Sequence, residues 1–230
     1  MLEISLKICF VSSQNLNSFW HNNLESVQKS DLLVFGFNGL PLVSYKSELE
    51  GKTEYFSDVA KLSKNLNTVI ISGCDTDTYG MYRHSAVIAD KGKILGVSDM
   101  VNVVDDSEFT GGGGFRIYDT SVGRIGVIVG EDIFFPEISK TLSLGESDVI
   151  VSVYRKITSS IPQIMLRASA FAFGVPIGMI AEDYVQVAGI NGEIILAGKG
   201  TKEIDLNIKK EYHLITNKKR GLNGVFKGEI

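Results

Sequence analysis

The chain is a succession of apolar runs of strand length, and what separates those runs changes part-way along. Ile4 to Val11, Leu32 to Phe37 and Thr68 to Ser72 are rich in β-branched and other apolar residues. Between them, Phe19, Trp20, Leu24 and Val27, then Phe56, Val59, Ala60 and Leu62 to Leu66, recur at helical spacing. This predicts an opening β-α-β-α-β array, with a long loop over 38–50 and the third strand ending at Gly73. Beyond it the separators shorten. Tyr82 to Ala89 and Ile94 to Val97 flank the turn Asp90-Lys91-Gly92-Lys93, and Phe115 to Tyr118 and Arg124 to Val129 flank Val122-Gly123. A helix from Pro136 to Leu144, a strand from Asp148 to Val153 and a helix from Pro162 to Phe173, closed by Gly174, follow. Pro176 to Ala181, Val185 to Ala188 and Glu193 to Ala197 complete the predicted strands. Crossover helices and hairpins in one chain require mixed sheets whose outer faces helices cover.

At 230 residues, 44% hydrophobic and 22% charged, the chain fits one core. The reading is a single domain over 1–208 and a basic tail over 209–230 carrying Lys209, Lys210, Lys218, Lys219 and Arg220. A formal net charge of −4 gives no overall reason to bind nucleic acid or an anionic membrane, and a short basic run reads as a solvated tail. Cys9 and Cys74 match no zinc or redox spacing, and His21, His84 and His213 lie on separate elements, so no metal or cofactor is expected. The strand-like start with Glu3 and Lys7, and the lack of a bilayer-length apolar run, predict a cytoplasmic protein.

The most informative segment is Gly123-Arg124-Ile125-Gly126-Val127-Ile128-Val129-Gly130-Glu131-Asp132-Ile133-Phe134-Phe135-Pro136-Glu137. It resembles the nucleophile strand and turn of the nitrilase superfamily of carbon-nitrogen hydrolases, which reads Gly-Arg/Lys-Ile-Gly, an apolar run, then Cys-x-Asp-x-x-Phe-Pro-Glu. Glycine 130 stands where that cysteine belongs. Asp31 to Phe35, the Ala86-Val87-Ile88 to Ile94-Leu95-Gly96 hairpin, Asp119-Thr120, Asp148-Val149-Ile150 and the helix Arg167 to Phe173 fall in the family's order. The resemblance implies an α/β fold of mixed sheets, a four-layer αββα sandwich. It also implies a glutamate, a lysine and a cysteine at the ends of three strands, where the thiolate attacks an amide or nitrile carbon and the other two move protons and stabilise charge. Register places those three sites at Phe37, Met100 and Gly130. None can do the family's chemistry, since phenylalanine accepts no proton, methionine carries no charge and glycine has no side chain.

The sequence therefore points to a non-catalytic member with an apolar, partly filled pocket, retained as a binding or oligomer-forming protein. The resemblance suggests pairing into a homodimer through the helix from Pro136 to Leu144, and a small amide or carboxylate as ligand. Tyr154 and Arg155, following a strand where family members contact substrate, are the binding candidates, with Lys156 beside them. Asp132, Pro136 and Glu137 read as structural at the turn, and Gly111 to Gly114 as a flexible turn. The alternative is an active amide-bond hydrolase with a relocated nucleophile, Cys74 or a carboxylate such as Glu131. That alternative needs Cys74, Glu131 and a basic group such as Arg155 around one cavity.

Overall fold

The computed structural model describes residues 4–12, 14–22, 30–104 and 108–208; the basic tail, His213, Leu24 and Val27 lie outside them. Two mixed sheets stack face to face. The first is ordered β13-β1-β2-β4-β5-β6, from β1 (Ile4–Val11), β2 (Leu32–Phe35), β4 (Val69–Thr78), β5 (Met81–Asp90), β6 (Lys93–Asp99) and β13 (Lys202–Ile208), with β3 (Val43–Ser44) beside β4. The second is ordered β12-β11-β10-β9-β8-β7, from β7 (Ile117–Thr120), β8 (Gly123–Val129), β9 (Val149–Val153), β10 (Ile177–Ile180), β11 (Tyr184–Ala188) and β12 (Ile194–Lys199). Each sheet has three parallel strands at its centre, β1-β2-β4 and β8-β9-β10, and hairpin partners outside them.

Alternation along the strands decides which layer each side chain joins. Leu32 and Val34, with Val127 and Val129, pack between the sheets. Their neighbours Leu33 and Phe35 face a cluster holding Leu16 and Phe19 of α1 (Leu16–Asn22) and Val59 and Leu62 of α3 (Tyr55–Leu66). Ile128 faces Ile138 and Leu142 of α4 (Pro136–Leu144) and Leu166 and Ala170 of α5 (Ile161–Phe173). Helix, sheet, sheet, helix is the expected four-layer αββα order. No helix among the described residues is long and apolar enough to cross a membrane.

Three sequence expectations are corrected. The 38–50 segment is no plain loop: it holds β3 and α2 (Tyr45–Leu49), and the Glu48 carboxylate of α2 accepts hydrogen bonds from the backbone N–H groups of Tyr55 and Phe56 at 3.0 and 3.2 Å, satisfying orphan donors at the start of α3. The strand expected to stop at Gly73 runs on to Thr78, because pairing with β5 continues unbroken from Ile70↔Ala89 to Thr78↔Met81. The strands do not finish with β12. A final one, β13, runs antiparallel to β1 and turns Leu206 and Ile208 inward.

Candidate functional site

The site lies where the ends of several strands meet. β8 ends at Val129 in extended conformation, Gly130 turns with φ of +56°, and a 3-10 turn over Gly130–Phe134 leads into α4, with Pro136 in its first turn. A strand-to-helix elbow of this kind lifts residue 130 out of the sheet. A Cβ built on Gly130 would stand 2.5 Å from Met100 Sδ, so the direction a side chain would take is blocked by the methionine. Met100 is held there by its own chain, donating its backbone N–H to His84 O at 2.8 Å and accepting from Gly112 N at 2.8 Å.

Asp132 fastens the two loops together. It is 2% exposed, and its carboxylate accepts from Val101 N and Asn102 N at 2.8 Å each and from Asn102 Nδ2 at 2.9 Å. Burial pushes its pKa up, and the three donors pull against that without reversing it. Pro136 and Glu137 are exposed at the start of α4, where Glu137 lies near the positive end of the helix dipole.

A cavity of about 520 Å³ opens beside the elbow, and Phe37, Met100 and Gly130 all line it. The three positions that register assigns to the glutamate, lysine and cysteine sites thus converge on one space. The expectation that this space is apolar is wrong. Asp75, His84, Glu131 and Arg155 share its wall with Val103, Phe109, Phe134 and Tyr154.

Sequence reading missed Asp75 and His84, although the signal was present. The alternation that turns Val69 and Ile71 inward along β4 turns Asp75 inward too, and the hairpin register sets it opposite His84 on β5. His84 Nδ1 donates to Asp75 Oδ1 at 2.7 Å, and the ring stacks on Phe109 with centroids 3.8 Å apart. His84 is thus tied to the cavity wall by that hydrogen bond and that stack. Arg155, reaching across from the end of β9, sets Nη2 at 2.5 and 2.7 Å from the two Asp75 oxygens and its Cζ 4.6 Å from the Phe37 ring centroid. Burial alone would raise the Asp75 pKa, but the hydrogen bonds and charges of His84 and Arg155 outweigh it and hold the carboxyl below the usual range. Arg155, a binding candidate in the sequence, lines the cavity with its guanidinium paired to Asp75. Lys156 lies 4.0 Å from Glu182.

Cys74 is not at the cavity. The same alternation that brings Asp75 inward turns Cys74 into the helix-facing cluster with Val11, Leu40 and Leu62, on the far side of the sheet from Glu131. It is fully buried, and burial raises its thiol pKa well above the ordinary value. The geometry required of Cys74 as a relocated nucleophile is absent. Tyr154 lines the cavity, its hydroxyl pKa raised first by burial and then by Glu131. Nor is the glycine run a loose turn throughout. A side chain at Gly111 would collide with the Val101 carbonyl, and one at Gly112 would come within 2.5 Å of Asp99 Cβ. Among the described residues no group of three or more His, Cys, Asp or Glu could hold a metal ion.

The carbon-nitrogen hydrolase family profile matches residues 22–208, which takes in the elbow, the cavity and both sheets except β1. The chain belongs to the carbon-nitrogen hydrolase family. A probable nitrilase of Schizosaccharomyces pombe is 25% identical over 164 residues, 65% of this chain and 60% of that protein, so the chain spans less than two thirds of that relative. A nitrilase of Pyrococcus abyssi is 25% identical over 192 residues, 77% of this chain and 72% of that one. Among solved structures, a carbon-nitrogen hydrolase from Helicobacter pylori G27 superposes with a TM-score of 0.75 at 17% identity, covering 98% of this chain and 95% of that one. A cysteine-to-alanine mutant of the amidase from Nesterenkonia sp. AN1, in complex with butyramide, gives 0.73 at 14% identity, covering 96% and 97%. These carbon-nitrogen hydrolase structures share the two-sheet fold described above.

Proposed function

We propose that this carbon-nitrogen hydrolase family chain has given up the family's thiol chemistry and is retained as a binding or oligomer-forming protein. The observation that carries the reading is the elbow. Residue 130 has no side chain, Met100 Sδ occupies the direction one would take, and neither cysteine lines the cavity. Phe37 and Met100 in the same wall remove the proton carrier and the cation that such a reaction needs alongside a nucleophile. Losses of groups that act as a unit are not additive, so restoring one of the three would not restore the reaction. The test is a broad panel of amides, N-carbamoyl compounds and nitriles given to the purified chain, with ammonia release as the readout. No turnover above buffer is expected. Glutaminase, ω-amidase, carbamoylase or nitrilase turnover that survives repurification would overturn the reading.

Self-association through α4 is the second part of the proposal. Leu144 at the end of α4 is 55% exposed, and the adjoining α5 leaves Ile161, Ile164 and Phe171 exposed, an apolar surface of the sort subunit interfaces cover. Sedimentation velocity at micromolar concentration should show a dimer that Leu144→Glu dissociates. A monomer at all concentrations would remove this part and leave the rest standing.

A further inference from the structure

The charged groups of the cavity wall are not all paired with one another. Among the described residues its titratable groups are Asp75, His84, Glu131, Tyr154 and Arg155. Arg155 and His84 both engage Asp75, so the guanidinium charge is spent on that carboxylate. Among the described residues Glu131 makes no ion pair and no side-chain hydrogen bond, and it acts on its surroundings through the electrostatic interactions that raise the Asp132 and Tyr154 pKa values. Among the described residues Asp75, His84 and Arg155 thus form one hydrogen-bonded group, and the half-buried Glu131 carboxylate at the elbow stands outside it.

Around that charge the cavity is aromatic. Phe134 and Tyr154 stand edge to face, with centroids 6.1 Å apart at 77°, and Phe37 and Phe109 flank His84 on the other side. Ring faces attract cations, and this wall already holds one, because the Arg155 guanidinium lies over Phe37. An anionic ligand would meet the Glu131 carboxylate with no unpaired Arg or Lys among the described wall residues to offset it. A neutral amide would find rings to pack on but no charge-assisted partner.

We propose that the cavity binds a small organic ammonium ion, its charged head against Glu131 between Phe134 and Tyr154 and its apolar body along Met100 and Val103. At about 520 Å³ the space falls within the size of small-molecule sites. The inference rests on the reading of this cavity as a binding site and deepens it by naming the ligand class. It replaces the amide or carboxylate that the sequence resemblance suggested.

Three probes of equal length separate the possibilities: n-butylamine, butyramide and butyrate, titrated calorimetrically into the full chain at neutral pH. Butylammonium should bind about tenfold or more tighter than butyrate, with butyramide between them, and Glu131→Gln should weaken butylammonium about tenfold while Glu137→Gln on the exposed start of α4 leaves it unchanged. Butyrate binding as tightly as butylammonium overturns the proposal, and so does a folded Glu131→Gln protein with unaltered affinity. If that variant does not fold, the wild-type series decides alone. Ammonia release from butyramide, followed in the same samples, separates the two conclusions. Turnover would refute the non-catalytic reading without touching the cation preference, and no preference without turnover would refute only the cation site.

Discussion

Placing a methyl group at residue 130 tests the geometry on which the proposed loss of the nucleophile rests. Gly130→Ala imposes two separable costs. The first is backbone: at φ of +56° an L residue with a Cβ is about 1–2 kcal/mol less stable than in a right-handed conformation. The second is steric. The new Cβ would lie 2.5 Å from Met100 Sδ, and Met100 is only 2% exposed, so the thioether must move. Overpacking a core costs about 1–3 kcal/mol. The low end applies, because Met100 also borders the cavity and can swing towards it. Gly130→Ala should therefore cost about 2–3 kcal/mol in total. Met100→Ala alone removes a buried side chain and should cost about 2 kcal/mol, the lower end for such truncations because one side of the site is open. In the double variant the backbone cost remains and the collision is gone. The two effects should fall short of additivity by about 1 kcal/mol, measured by urea unfolding of the four proteins with the slopes held to a common value. Additivity within about 0.3 kcal/mol would show that a side chain at residue 130 does not meet Met100, and the argument that the methionine blocks the nucleophile direction would fall with it.

Asp132→Ala should destabilise the protein by about 2–4 kcal/mol in the same assay, since it strands two backbone N–H donors of the 101–102 segment and the Asn102 amide; a loss below about 1 kcal/mol would mean that water replaces the carboxylate freely. The depressed pKa of Asp75 fixes a sign. Its pairing stabilises the fold above the unfolded carboxyl pKa of about 4 and is lost as pH falls through the lower folded value, so the stability difference between wild type and Asp75→Asn should be full at about pH 7 and shrink only below about pH 4. A difference that disappears between about pH 7 and pH 5 would contradict the assignment. Both thiols should resist maleimide in the native protein and react completely in urea, because both are fully buried and burial raises the Cys9 pKa to about 12 and that of Cys74 further; rapid native labelling of either would refute the buried placement.

The layers were legible because period-two alternation and helical spacing are properties of the chain itself. Val127 and Val129 face one way and Ile128 the other in sequence as in structure, and the αββα order follows from where the separators are helices and where they are turns. What escaped notice depended on partners distant in sequence. Gly73 reads as the end of a strand, yet nine consecutive pairs with β5 carry β4 past it. Lys202 to Ile208 looks like the approach to a basic tail until it is laid against β1. The register that put Phe37, Met100 and Gly130 at three strand ends also set them around one cavity, but nothing local to Arg155 announces that it joins Asp75 and His84, since it is 80 residues from Asp75 and on the other sheet.

That meeting bears on why a cavity persists beside Phe37, Met100 and Gly130. Filling a vacated space with apolar side chains ordinarily stabilises a fold, by about 25 cal/mol for each Å² removed from water. Here two ties hold the walls apart in fixed positions: Asp132 clamps the 101–102 segment to the elbow, and Arg155 joins the sheets through Asp75. Between them stands Glu131. Closing the cavity over an unpaired carboxylate would cost several kcal/mol, more than the small apolar area taken out of water would return. The space must then stay filled by something that solvates that charge, either water or a cation. On the proposed reading, Glu131 thus keeps the site open and decides the sign of what can enter it.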